Sequence, residues 1–217
     1  MNSTIKAVIF DMDGLIIDSE PLWRKAEISA FKEIGFDFTD AMCASTMGMR
    51  IDQVVDHWWN KLKWKTPSQS QLVENIISKM IFQINSFGVA MPGFENTITL
   101  LKKYNIPTAI ASSSSFLLID TVVKKLNLKP FFDVIHSAEN ELKGKPDPAV
   151  FLTTAKLLNV NPINCLVLED SKAGMEAGLN AKMRTIVIPE NGTNPNWSKK
   201  SFLKIDSLND FKLEYLR

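Results

Sequence analysis

The first hydrophobic run, Ala7-Val8-Ile9-Phe10, restricts the architecture more than any other part of the chain, because Asp11-Met12-Asp13-Gly14 follows it at once. Four apolar residues in a row are too few for a helix and leave no polar face, so they read as a strand buried on both sides. Such strands belong to parallel sheets covered by helices on both faces, which restricts the chain to α/β architecture. The texture beyond Met91-Pro92-Gly93 agrees. Helices are expected over 94–104, 116–126 and 148–158, with strands over 108–111, 134–135, 165–168 and 184–188. Ser171 should cap a further helix reaching Ala181, and a short helix should start at Leu208. The segment from Ile17 to Phe87 differs, with helical spacing over Glu20–Ile34, Ile51–Lys61 and Gln71–Asn85 and no strong strand. Ser68 or Ser70 would cap the last of these. The expected organisation is therefore an α/β core formed by residues 1–17 and 87–217, interrupted by a helical insertion over 18–86.

Charge and cysteine usage remove several function classes. The 217 residues carry a formal net charge of +1 with no basic stripe, so nucleic acid and anionic membranes are not default partners. Cys43 and Cys165 lie far apart, outside any metal or redox spacing, and read as reduced apolar side chains. The opening residues lack the pattern of a secretory signal, and no window is apolar enough for a membrane helix. The expectation is a cytoplasmic protein, with nothing demanding more than a monomer. The stretch Glu190–Trp197 reads as a polar, turn-rich loop.

Chemistry gathers at the strand ends. Asp11, Ser112 and Asp170 each follow an expected strand, and ligands of open parallel sheets bind outside the carboxyl ends of their strands. One crevice should therefore collect Asp11, Asp13, Ser112, Ser113, Glu169 and Asp170, with Lys145 from the Gly144–Pro148 stretch. Carboxylates at close range repel unless a cation intervenes. Oxygen ligands without His or Cys select a hard cation, Mg²⁺ first, which keeps waters and pairs with phosphate. Ser112 and Ser113 at a helix start offer a hydroxyl and backbone N–H groups to an anion, and Lys145 offers a point charge suited to phosphate. This is equipment for phosphoryl transfer. One carboxylate can attack phosphorus, while a second protonates the leaving oxygen and later deprotonates water. The i, i+2 spacing of Asp11 and Asp13 points both side chains the same way in extended backbone, and Gly14 frees the turn behind them.

Four segments in order, Asp11-Met12-Asp13-Gly14, the serine after the second core strand, Lys145-Pro146-Asp147-Pro148 and Leu168-Glu169-Asp170-Ser171, resemble the motifs of the haloacid dehalogenase superfamily. The position of the helical insertion is similar to that in the β-phosphoglucomutase-like branch. The stretches 10–23 and 48–59 resemble bacterial 2-deoxyglucose-6-phosphate and hexitol-phosphate phosphatases. The resemblance implies a Rossmann-like sheet core with the insertion as a cap domain. It implies Asp11 as nucleophile and Asp13 as general acid/base. It also implies Mg²⁺ held by Asp11, the Asp13 carbonyl and Asp170, with Glu169 helping through water, and the phosphoryl group held by Ser112, the Ser113 backbone and Lys145.

Asp13 argues against haloacid chemistry, since dehalogenases lack that second acid. A mutase of this branch has a cap histidine where this chain has Trp23, and a substrate-loop lysine where it has Ser115 and Phe116. Water is therefore the expected acceptor, and the expected activity is hydrolysis of small sugar or polyol phosphates, with phosphomutase as the alternative. A phospho-accepting signalling domain gathers similar groups, but around a middle strand and without an inserted helical block. Among insertion residues, Arg50 either contacts substrate or is a solvated helix-start residue. Trp23 and Glu20 either line the entrance or, for Trp23, belong to the core of the insertion. The stretch His57–Trp64 reads as core and rim, with stacking of Trp59 or Trp64 on a sugar face as the alternative. Met47, Met49 and Met91 read as gap fillers, and Gly174 and Gly178 as sites of close helix packing.

Overall fold

The computed structural model describes residues 4–190 and 193–217. In chain order the elements are β1 (Ala7–Phe10), α1 (Glu20–Glu33), α2 (Asp40–Ala44), α3 (Ile51–Leu62), α4 (Gln69–Phe87), α5 (Phe94–Lys103), β2 (Thr108–Ser112), α6 (Phe116–Lys125), β3 (Val134–Ser137), α7 (Ala149–Leu157), β4 (Cys165–Glu169), α8 (Lys172–Asn180), β5 (Arg184–Val187) and β6 (Leu203–Lys204). The six strands form one parallel sheet in the order β3-β2-β1-β4-β5-β6. The order reverses between β1 and β4, the place where open α/β sheets leave a crevice for ligands. Register sets what meets there. Phe10 pairs with Ile110 of β2 and Leu168 of β4, so Asp11, Ala111 and Glu169 lie level at the carboxyl ends of three adjacent strands.

The opening strand is buried on both faces, as its composition requires. Val8 and Phe10 join one hydrophobic cluster with Ile110, Leu166 and Leu168, while Ala7 and Ile9 join a second with Ala109, Phe151 and Val167. The period-2 alternation of a strand puts successive residues into opposite layers.

Helices α1 to α4 occupy the chain between β1 and α5. Leu22, Ala26 and Ala30 of α1 recur every fourth residue, as do Leu72, Ile76, Met80 and Ile84 of α4, and all are buried. These stripes meet, because side chains four apart share a helix face. Ser68 is the cap of α4: its hydroxyl accepts the Gln71 N–H while the Gln71 side chain accepts the Ser68 N–H, the reciprocal pair that favours it over Ser70. The chain leaves and re-enters the sheet layer through one paired ribbon. Ile17 bridges to both Asp13 and Ala90, the Asp18 N–H donates to Val89 O at 3.0 Å, and the Met91 N–H donates to Ile16 O at 2.9 Å.

Some elements depart from the pattern read in the sequence. The short helix α2, capped by the Thr39 hydroxyl, lies where no helix was expected. The tail from Leu208 forms two 3₁₀ turns, Leu208–Asp210 and Leu213–Leu216, because Phe211 is extended and neither side is long enough to repay helix nucleation. Strand β6 is an edge of only two residues. Trp64, by contrast, lies in the core as its stretch suggests: it is buried edge-on against Phe31, with its Nε1 donating to Pro67 O. Trp59 donates to Trp64 O and lies under the Lys63 ammonium. The Glu190–Trp197 stretch includes Asn191 and Gly192, and the amino-terminal stretch includes Met1–Ser3; these positions lie outside the described residues. Among the described residues no helix is long and apolar enough to cross a membrane.

Candidate active site

Immediately after β1 the backbone turns sharply. The Met12 carbonyl accepts N–H groups from Leu15, Ile16 and Ile17, and Gly14 adopts φ +70°. A Cβ at Gly14 would stand 2.2 Å from Asp170 Oδ2. Only glycine meets both demands, and the turn thereby lets Asp170 close against the Asp11–Asp13 segment. Behind it, Gly174 lets α8 approach Glu169, where a Cβ would lie 1.6 Å from Oε1.

Lys145 organises the carboxylates. Its ammonium donates to Asp11 Oδ1 at 2.5 Å, to Glu169 Oε1 at 2.6 Å and to Ala111 O at 3.2 Å, which uses all three donors. The second oxygen of Glu169 accepts from Asp170 N, Ser171 N and Ser171 Oγ. Glu169 is therefore saturated as the support of Lys145 and of the turn into α8, although it sits beside Asp11 and Asp170. Asp13 is held at both oxygens too: Trp23 Nε1 donates to Oδ1 at 2.8 Å and Ser114 Oγ donates to Oδ2 at 2.7 Å. Ser113 donates to Gly48 O across the crevice, and Ser112 turns inward to accept the Ser114 N–H.

The electrostatic balance is unfavourable without a cation. Burial, followed by Glu169 and Asp13, pushes the Asp11 carboxyl up to about 8 against the pull of Lys145. Burial, with Glu169 and Asp11 next, holds Asp170 well above the carboxylate range. Burial works against the Lys145 charge, but Asp11 and Glu169 outweigh it and hold the ammonium firmly protonated. One cation among these acids does not neutralise them. Carboxylate oxygens of Asp11, Glu169 and Asp170 lie within 4.8 Å of one another and are all buried. An all-oxygen, over-negative, buried cluster fits a hard divalent cation. Because Glu169 and the Asp13 carboxylate are already engaged, the free carboxylate positions belong to Asp11 and Asp170.

These groups face a cavity of about 690 Å³, its open mouth included. Asp11, Asp13, Ser113, Ser114, Lys145 and Asp170 line the sheet side. Glu20, Trp23, Arg24 and Glu27 line the other side from α1, with residues of the Thr46–Ile51 stretch. The crevice thus joins Asp11, Asp13, Ser113, Lys145, Asp170, Glu20 and Trp23, all singled out in the sequence. Glu20 is pushed up to about 7 by burial and then by Asp13. Arg50 stands outside the cavity. Its Nε and Nη2 pair with Asp52 and its Nη1 donates to Ala138 O and Glu141 O, so it clamps the start of α3 to the loop after β3. Four of its five N–H donors are thereby engaged, and it is not among the residues that line the cavity. Ser114 and Glu27 are among the lining residues that went unnoticed in the sequence. Ser114 is one of four consecutive serines, and nothing local tells which faces inward. Glu27 follows Glu20, Trp23 and Arg24 on one helical stripe, a signal that was present.

A family model described as haloacid dehalogenase-like hydrolase matches residues 8–188. The chain is 39% identical over 186 residues to hexitol phosphatase B of Escherichia coli K12, covering 85% of this chain and 84% of that protein. It is 29% identical over 182 residues to the phosphorylated carbohydrates phosphatase of Thermotoga maritima, covering 84% of each. The solved structure of β-phosphoglucomutase from Clostridium difficile superposes with a TM-score of 0.84 at 30% identity, over 98% of this chain and 95% of that one.

Proposed function

The chain belongs to the haloacid dehalogenase-like hydrolase family and is a phosphatase, and from that premise we propose that it hydrolyses small sugar or polyol phosphates through an aspartyl-phosphate on Asp11. The observation that carries this reading is the convergence of Asp11, Asp13, Lys145 and Asp170 in one cavity whose opposite wall is the polar stripe of α1. The proposal includes Mg²⁺ as the metal, residues 1–17 and 87–217 as the catalytic unit and 18–86 as its cap. It includes a cytoplasmic location, supported by two buried, unpaired cysteines, and action as a monomer.

Asp11 and Asp170 would hold the cation with the Asp13 carbonyl, and the bound charge would let Asp11 ionise at neutral pH and shield the phosphoryl oxygens. Every other step falls to the chain. Lys145 aims Asp11 Oδ1 and offers positive charge to the phosphoryl group. At the turn after β2 the Ser113 backbone N–H would serve the phosphoryl group, since the Ser113 and Ser114 hydroxyls are bonded to Gly48 O and Asp13 and Ser112 turns inward. Asp13 gives a proton to the leaving oxygen and then takes one from the attacking water. Trp23 fixes where that proton sits. Its indole N–H can only donate, so Oδ1 stays unprotonated, while the Ser114 hydroxyl can turn to accept. The proton is therefore carried on Oδ2. The α1 wall excludes bulk water from the phosphorylated Asp11.

The phosphomutase reading draws on the superposition with β-phosphoglucomutase. Mutases of this branch have a cap histidine that helps the sugar hydroxyl attack, and Trp23 at that position has only a donor to offer. Phosphate release by the purified protein, with Mg²⁺ and with EDTA, tests the two across hexose phosphates, hexitol phosphates, glycerol phosphate and nucleotides. Metal-dependent release favouring polyhydroxylated esters is expected. No release from any ester refutes the proposal, and isomerised sugar phosphate without free phosphate replaces it with the mutase.

A further inference from the structure

Along α1, Glu20, Trp23, Arg24 and Glu27 follow the spacing i, i+3, i+4, i+7 and all face the cavity, while Leu22, Ala26 and Ala30 face α4. Trp23 is committed to Asp13, and Arg24 to Glu190 and the Glu20 carbonyl. Glu27 has no comparable commitment. It is only 6% exposed, and its Oε2 is buried without any hydrogen-bond donor. The Cys43 thiol beside it is a weak donor, and burial pushes the Glu27 carboxyl up to about 7. Native proteins leave few buried carboxylate oxygens without a donor, because water's hydrogen bonds are lost and nothing replaces them. An oxygen of this kind on the wall of a ligand cavity is a place kept for a ligand's donor.

We propose that Glu27 accepts a hydrogen bond from a hydroxyl on the carbon chain of the substrate, and so selects polyhydroxylated phosphate esters over plain ones. The inference rests on the phosphatase reading of the crevice. A hydroxyl suits the surroundings better than an ammonium group. The neighbouring wall includes Met47, Met49, Ile51 and Val54, which would strip a full charge of its water, whereas a hydroxyl needs only one acceptor. Glu27 lies on the helical wall, opposite the groups carried by the strand ends, so its role is in recognition and not in the chemistry at phosphorus.

Glu27→Gln and Glu27→Ala, compared with wild type on sorbitol 6-phosphate and on p-nitrophenyl phosphate, test the inference. The second ester offers no hydroxyl. A hydrogen bond to a charged acceptor corresponds to a loss of about ten- to a hundredfold in kcat/KM on sorbitol 6-phosphate, mostly through KM. The loss on p-nitrophenyl phosphate should be at least about tenfold smaller. Equal losses on both esters would assign Glu27 a purely structural role and overturn the inference, as would full retention of sorbitol 6-phosphate turnover. Wild type that releases phosphate from p-nitrophenyl phosphate but from no polyhydroxylated ester overturns the inference and leaves the phosphatase chemistry standing. Release from neither ester overturns both.

Discussion

Replacing Asp11 with Asn is expected to end turnover and, in metal-free protein at alkaline pH, to raise stability. The Asp11 carboxyl is displaced from 3.8 to about 8, chiefly by burial. Below about pH 4 the group is neutral in both folded and unfolded chains and costs nothing. Between about pH 4 and about pH 8 the unfolded chain ionises it freely while the folded chain resists, so folding loses free energy as pH rises. Above about pH 8 both states are ionised and the penalty levels off. A displacement of about four pH units at about 1.4 kcal/mol each sets a ceiling near ~6 kcal/mol. Local relaxation and water penetration lower such ceilings several-fold, which leaves about 2 kcal/mol. Asn removes the charge and keeps the shape, so for a chain of this size the melting temperature should rise by about 4–8 °C. Thermal melts in EDTA at pH 5 and pH 8 measure it, with the larger gain at pH 8. Adding Mg²⁺ should stabilise wild type more than the variant and narrow the difference. A variant that melts at or below wild type at pH 8 in EDTA would refute the reasoning, since the Asp11–Lys145 attraction would then outweigh the cost of burial.

Trp23→Phe removes the donor to Asp13 Oδ1 and should lower kcat about tenfold with KM little changed; steady-state kinetics on both proteins decide it, and an unchanged kcat would deny Trp23 a positioning role. Gly14→Ala places a Cβ at φ +70° against Asp170 Oδ2 and should cost about 1–3 kcal/mol of stability together with most of the Mg²⁺ response. A melting curve and a Mg²⁺ titration of turnover check it, and a variant with wild-type metal dependence would show that Asp170 has room to move.

The sheet was legible because its strands are short, apolar and punctuated. Ala7–Phe10 and Cys165–Glu169 can be little else, and the acids at their ends announce the crevice. Helix α1 was legible from its spacing, within a residue at its end. The short helix α2 was not, since five residues carry too little periodicity to register. In the site, the residues at strand ends were readable because parallel topology alone brings them together. The partners of Arg50 were not: its clamp to Ala138 and Glu141 depends on how the helical block docks, which no local pattern encodes. The bond from Trp23 to Asp13 escaped for the same reason, although both residues had been singled out.

The ribbon that carries the chain out of the sheet and back has a consequence for how such a protein can change over generations. Asp18 and Val89 sit one hydrogen bond apart, so everything between them begins and ends at the same spot on the sheet layer. A segment anchored in this way can be lengthened, shortened or exchanged at little cost in loop closure and without disturbing strand register. Glu20, Trp23 and Glu27 fall inside that segment, whereas Asp11, Ser113, Lys145 and Asp170 fall outside it. On the proposed reading, mutations that redirect the enzyme to a new ester can therefore collect in one stretch of the gene while Asp11, Asp13, Lys145 and Asp170 are inherited unchanged, with Trp23 the residue of that stretch tied directly to an acid of the sheet.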